Sequence, residues 1–150
     1  MKKTFILIIV AVVVITTIIF SKYVEYSNQK TEIKKINKEF LAYQNSSVQI
    51  NTVVSLMNKA ISQNQKNNIE QDANKLFKEN NTNSIKIYLE TTSSDGKTKV
   101  QIPMEDLILG EKAGAEKVEY AFSDLLFNIT DVEYHEKTGQ VSKIVFTVKE

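Results

Sequence analysis

The chain has no cysteine, no tryptophan and no arginine, and only one histidine, one proline and four glycines in 150 residues. Each shortage removes a class of chemistry. Without cysteine there is no disulfide, no thiolate metal site and no thiol nucleophile. A domain of this chain outside the cell would have to be stable without cross-links. All 19 basic residues are lysine, so no guanidinium fork can grip a phosphate or carboxylate at two points. Gly96, Gly110, Gly114 and Gly139 sit where turns or helix starts need them, and none belongs to a phosphate-cradling loop.

The lone histidine, His135, lies beside Glu133 and Glu136 near a hairpin tip. Strand alternation places Glu133 and His135 on one solvent-facing side, and two ligands leave a zinc site unfilled, so a surface histidine and no metal site are expected. The same residue would have to serve a Ser-His-carboxylate arrangement, for which no nucleophile elbow or oxyanion loop is present. Glu105 and Asp106 follow Pro103 and Met104. They read as cap or first-turn acids ahead of Leu107 and Ile108, in preference to an acid-base pair. The expectation is a non-enzyme with no catalytic residue, no cofactor and no small-molecule substrate.

What the sequence has in abundance is at its start. From Thr4 to Ser21 there are 18 uncharged residues, with Lys2 and Lys3 before them and Lys22 after. A helix from Thr4 to Val24 covers roughly 30 Å, the thickness of a hydrocarbon core. "IIFSKYVEY" places bulky residues where a cleaved signal has small ones, so an uncleaved signal anchor is expected. No cysteine follows for a lipid anchor, and no Gly-x-x-x-Gly invites close helix pairing. The leading lysines put the N-terminus in the cytoplasm and the rest outside, in a single-pass protein of the cell membrane. Beyond Lys2 and Lys3 the chain holds 17 Lys against 18 acids, a net charge of −1. Nucleic acid, which needs a basic face, is therefore not an expected partner.

Residues 25–45 read as a helical stalk following the anchor of residues 1–24. Tyr26, Ile33, Ile36, Phe40 and Tyr43 fall on the a and d positions of a heptad, with Gln29 the polar exception. That stripe either packs on the chain's own domain or joins a second copy or an envelope protein. In residues 46–150, Asn51 or a neighbour caps a helix with Ile50, Val53, Val54, Met57 and Ile61 on one face. Residues 62–84, rich in Asn, Gln and Lys, read as a mobile loop with a brief extended piece at Leu76 and Phe77. Ile85, Ile87 and Leu89 alternate with exposed Lys86, Tyr88 and Glu90. A turn at Asp95 and Gly96 and a return through Val100 and Ile102 complete a hairpin. Val118, Ala121, Phe122, Leu125 and Leu126 recur at helical spacing over residues 115–127. A second hairpin runs through Val132 and Tyr134, turns at Gly139, and returns through Ile144, Phe146 and Val148. The expected fold is α+β: a transmembrane helix continuing into an amphipathic helix, then a four-stranded antiparallel sheet of two hairpins packed on helices.

A basic start, an apolar helix running into an amphipathic one, and a small four-stranded sheet resemble the plan of type IV pilins and pseudopilins. That resemblance implies a first helix that assembles and a sheet domain that decorates the assembly. The small residue before the apolar stretch and the Glu five residues into the mature helix are replaced here by Thr4 or Lys3 and by Ile9. The segments "VVSLMNKAI" (53–61), "NTNSIKIYLE" (81–90) and "EYHEKTGQV" (133–141) are similar to a family of small single-pass membrane-anchored proteins of clostridia and their relatives. This resemblance implies a bacterial envelope-anchored domain and carries over no activity. The expected role is structural or interactive in the envelope, alternatively an extracytoplasmic module that binds a ligand or peptide.

Overall fold

The computed structural model describes residues 2–92, 99–109 and 115–149. The expected turn at Asp95 and Gly96 and the break framed by Gly110 and Gly114 lie outside them. Contacts divide the chain into two units, Met1–Lys35 and Ile36–Glu150. Helix α1 spans Lys2–Phe40, a stretch without Gly or Pro in which nothing interrupts helical hydrogen bonding. In the first unit its side chains from Ile6 to Phe20 are exposed throughout. An 18-residue window there has a mean hydropathy of 2.5, so the helix is long and apolar enough to cross a membrane. Thr16, Thr17 and Ser21 return their donors to the helix: Thr16 to Val12 at 2.6 Å, Thr17 to Val13 at 2.8 Å and Ser21 to Thr17 at 2.8 Å. In lipid this matters, because no water is there to satisfy them.

The second unit begins with the last residues of α1. It continues with β1 (Val48–Gln49), α2 (Ile50–Lys66), β2 (Lys86–Thr92), β3 (Lys99–Pro103), α3 (Met104–Leu109), α4 (Ala115–Ala121), β4 (Leu126–Tyr134) and β5 (Val141–Val148). The five strands form one sheet in the order β1-β4-β5-β2-β3. The expected hairpins are present, as β2 with β3 and β4 with β5, both antiparallel. The expected sheet of four antiparallel strands is corrected. The hairpins join through β2 and β5, which run parallel with Ile87 opposite Ile144 and Leu89 opposite Phe146, and β1 adds a fifth strand against β4. The reason is burial. The strands richest in buried side chains take the centre, where neighbours cover both edges.

One face of the sheet carries the core. Ile85, Ile87, Leu89, Ile144, Phe146 and Phe127 pack against Val53, Val54, Leu56 and Met57 of α2, Met104 of α3, Val118 of α4, and Ile36 and Phe40. Each fully buried large side chain contributes about 1.5–3 kcal/mol. Helix α2 matches its expected face, and its N-cap, expected at Asn51 or a neighbour, is Gln49, which makes no side-chain bond there. The helix expected over 115–127 ends at Ala121. Phe122 and Phe127 meet edge to face with centroids 6.2 Å apart, and strand pairing carries Phe127 into the core while Leu125 and Leu126 stay exposed.

Candidate functional site

The opposite sheet face is where the sequence expectations change most. Residues 62–84 are not a featureless loop. Helix α2 runs to Lys66, and after it residues 68–79 form a strap with its own fold. Asp72 N–H donates to the Leu76 carbonyl at 2.8 Å and Lys78 N–H to Glu70 at 2.8 Å. The Asp72 carboxylate accepts from the N–H groups of Asn74 and Leu76. Gln71 and Phe77 form an isolated bridge. Phe77 is buried outside the main core, as is Val145 of β5. By alternation Val145 shares the second face with Lys86 and Tyr88.

At the start of α3, Glu105 is 1% exposed and its Oε2 lies 3.0 Å from Lys86 Nζ, whose side chain is 10% exposed. The same oxygen accepts the Phe77 N–H at 3.3 Å, while Glu105 Oε1 is buried with no partner among the described residues. Burial pushes the Glu105 carboxyl above its ordinary value, against the pull of the Lys86 ammonium and the Phe77 amide. Lys86 does not lie on the exposed strand side expected of it, while Glu105 is the first-turn acid of α3 that was expected, and it is buried. Beside them, Tyr88 donates to Glu79 Oε1 at 2.9 Å, and Lys143 lies 5.4 Å from the Tyr88 ring centre and 3.0 Å from Glu133 Oε1. Burial, followed by the bond to Glu79, raises the Tyr88 hydroxyl far above its ordinary value.

His135 is also corrected. It is 7% exposed, and its Nε2 sits 2.7 Å from the Ser84 carbonyl, which requires that nitrogen to carry the proton. A register shift between Glu133 and Tyr134 breaks the alternation that would have left it in solvent. Asparagines organise its surroundings. Asn80 Oδ1 accepts from the N–H groups of Thr82, Asn83 and Ser84. Asn64, wholly buried, brackets Ile85, donating to its carbonyl at 2.9 Å and accepting its N–H at 2.8 Å. Asn37 does the same at the hairpin, with Nδ2 to Gly139 O at 2.8 Å and the Val141 N–H to Oδ1 at 2.9 Å. Among the described residues no cluster of three or more His, Cys, Asp or Glu could hold a metal ion.

The stalk stripe divides between the units. Tyr26, 63% exposed, and the partly exposed Ile33 belong to the first. Ile36 and Phe40 are buried in the core of the second, and Tyr43, in the turn after α1, is exposed. Beside Ile36 and Phe40, a groove of about 570 Å³ runs between the end of α1, α2 and Glu119 of α4, floored by Val54 and edged by Asn58 and Lys59. Sequence reasoning missed the Lys86–Glu105 pair, Phe77 and the asparagine brackets. The one available signal was a lysine, Lys86, set between Ile85 and Ile87 in a strand pattern. Compared with protein-family models, with curated proteins and with solved structures, the chain finds no match in any of the three.

Proposed function

We propose that this chain is a non-enzymatic, single-pass protein of the bacterial cell membrane, whose sheet domain has a structural or interaction role on the extracytoplasmic side. The observation that carries the reading is the exposed apolar surface of α1 from Ile6 to Phe20, bounded by lysines in the sequence. Such a surface has no place in water and fits a bilayer. Lys2 and Lys3 favour an N-terminus in the cytoplasm. With Ile36 and Phe40 taken up by the core, Tyr26, Ile33 and Tyr43 are the stripe residues left to meet a second copy or an envelope protein in a pilin-like or secretion assembly. The test is a set of single-cysteine variants in a chain that has no native thiol. An impermeant maleimide should label cysteine at Lys149 in intact cells and leave cysteine at Lys3 unlabelled. The reverse pattern, or a mature chain that begins after Phe20, would remove the anchor. Cysteines at Tyr26, Ile33 and Tyr43 should give a disulfide-linked adduct in membranes, and none at any of these positions would remove the assembly role.

The groove beside Ile36 and Phe40 favours a second reading, an extracytoplasmic module that takes a peptide or small ligand over an apolar floor. A ligand-dependent rise in the Tm of the full chain, abolished by Val54→Lys, would support it.

A further inference from the structure

We propose that residues 68–79 are a lid on the second face of the sheet that opens as pH rises, with Glu105 as the group that drives it. The lid's internal hydrogen bonds join its own residues, so it can move as a unit. Two described hydrogen bonds tie it to the elements beneath: the Phe77 N–H to Glu105 Oε2, and Tyr88 Oη to Glu79 at its far end. Phe77 is its plug. Asn68, at φ 53, supplies the hinge directly after α2, and Lys75, at φ 65, holds a lysine in the left-handed region that favours glycine.

With the lid closed, an ionised Glu105 is dry and served on one side only. Lys86 and the Phe77 amide both address Oε2, and among the described residues Oε1 has no donor. A buried carboxylate oxygen without a donor is costly, and a neutral carboxyl tolerates dryness better. Opening admits water to Oε1. The closed lid therefore favours the neutral acid and the open lid the ionised one, so ionisation drives opening. The surrounding charges act in both directions. Lys86 of β2 opposes the effect, and Asp106 of α3 pushes the same way as burial. Tyr88 of β2 stays neutral and lies within the field of Glu105, of Glu79 on the lid and of Glu133 on β4, the last already paired with Lys143 of β5. Opening would expose the Phe77 ring and bring water to the Lys86 ammonium and the Glu105 carboxyl.

Hydrogen exchange on the full chain in detergent micelles, with each rate normalised to its intrinsic value, tests this. Protection at Phe77 and Lys78 should fall as pH rises from the ordinary carboxylate range through the raised value of the closed-lid Glu105, by no more than about tenfold per pH unit, the limit for one proton. Amides of α2 and β5 should hold their protection over the same range. Glu105→Gln should flatten the profile, and Lys86→Met, which removes the cation that pulls the carboxyl down, should deepen the fall and extend it to higher pH. A flat wild-type profile overturns the proposal, as does a slope that survives in Glu105→Gln. Parallel loss in α2 and β5 also overturns it, because the event would then be global unfolding. If Glu105→Gln does not fold, the wild-type slope and the direction of the Lys86→Met shift decide between these outcomes.

Discussion

The two faces of the sheet are covered by different means. On one, α2, α3, α4 and the end of α1 bring apolar side chains onto Ile85, Ile87, Leu89, Ile144 and Phe146, with the Asn64 bracket on Ile85 as a polar addition. On the other, a strap supplies one aromatic plug, and beneath it a lysine and a glutamate are buried together. The first face resists water mainly by area. The second depends on groups that must be satisfied individually, and among the described residues one oxygen is not. Apolar cover is tolerant of detail and strong in sum, whereas polar cover is specific, conditional and sensitive to pH.

Breaking the first face should have the largest effect. Phe146→Ala removes a wholly buried ring at the centre of the core and should destabilise the domain by about 3–5 kcal/mol, read as a lowered urea midpoint at unchanged slope. On the second face, Lys86→Met leaves a buried carboxyl without its cation and should cost about 3 kcal/mol. The double variant Lys86→Met with Glu105→Leu should recover most of that loss, and a simple sum of the two single losses would show that the pair is not coupled. Asn64→Ala strands the buried N–H and carbonyl of Ile85 and should cost about 2 kcal/mol, with the loss of protection centred on Ile85 in hydrogen exchange.

The pH dependence separates the faces without mutation. Because the folded Glu105 carboxyl is held above its ordinary value, its contribution is fully present below that ordinary value and is lost as pH rises through the folded one. Denaturation midpoints should therefore decline over that window in the wild type and not in Glu105→Gln. The smallest effect belongs to solvent. Glu133→Gln removes an ion pair whose acidic side chain is 55% exposed and should change stability by less than about 0.5 kcal/mol, within the error of the midpoint.

Where the sequence was legible, a single physical signal dominated. The helical spacing of Ile50, Val53, Val54 and Met57 and the alternation of Ile85, Ile87 and Leu89 each report one apolar face, and both faces lie in the core. The hairpins were legible because their strands are neighbours in sequence. The parallel join of β2 to β5 was not, since it brings Ile87 to Ile144 across the whole intervening chain and no local residue encodes it. The helix expected over 115–127 stopped short because Leu125 and Leu126 fit helical spacing and extended chain equally well, and only the pairing of Leu126 with β1 and of Phe127 with β1 and β5 decided for strand. Of the stripe Tyr26, Ile33, Ile36, Phe40 and Tyr43, spacing alone could not tell a contact surface from a core. Ile36 and Phe40 prove to be core.

By itself the sequence determined that α1 is uninterrupted, long and apolar, because helix propensity and hydropathy are sums over neighbouring residues. It likewise determined which faces of α2, β2 and β5 are apolar. Only the tertiary structure decided that Lys86, Glu105 and Phe77 share one dry site, that His135 is buried against Ser84, and that Asn64 and Asn37 bracket distant backbone. Polar residues are compatible with water or with a partner, and which of the two they meet depends on what the rest of the chain places beside them.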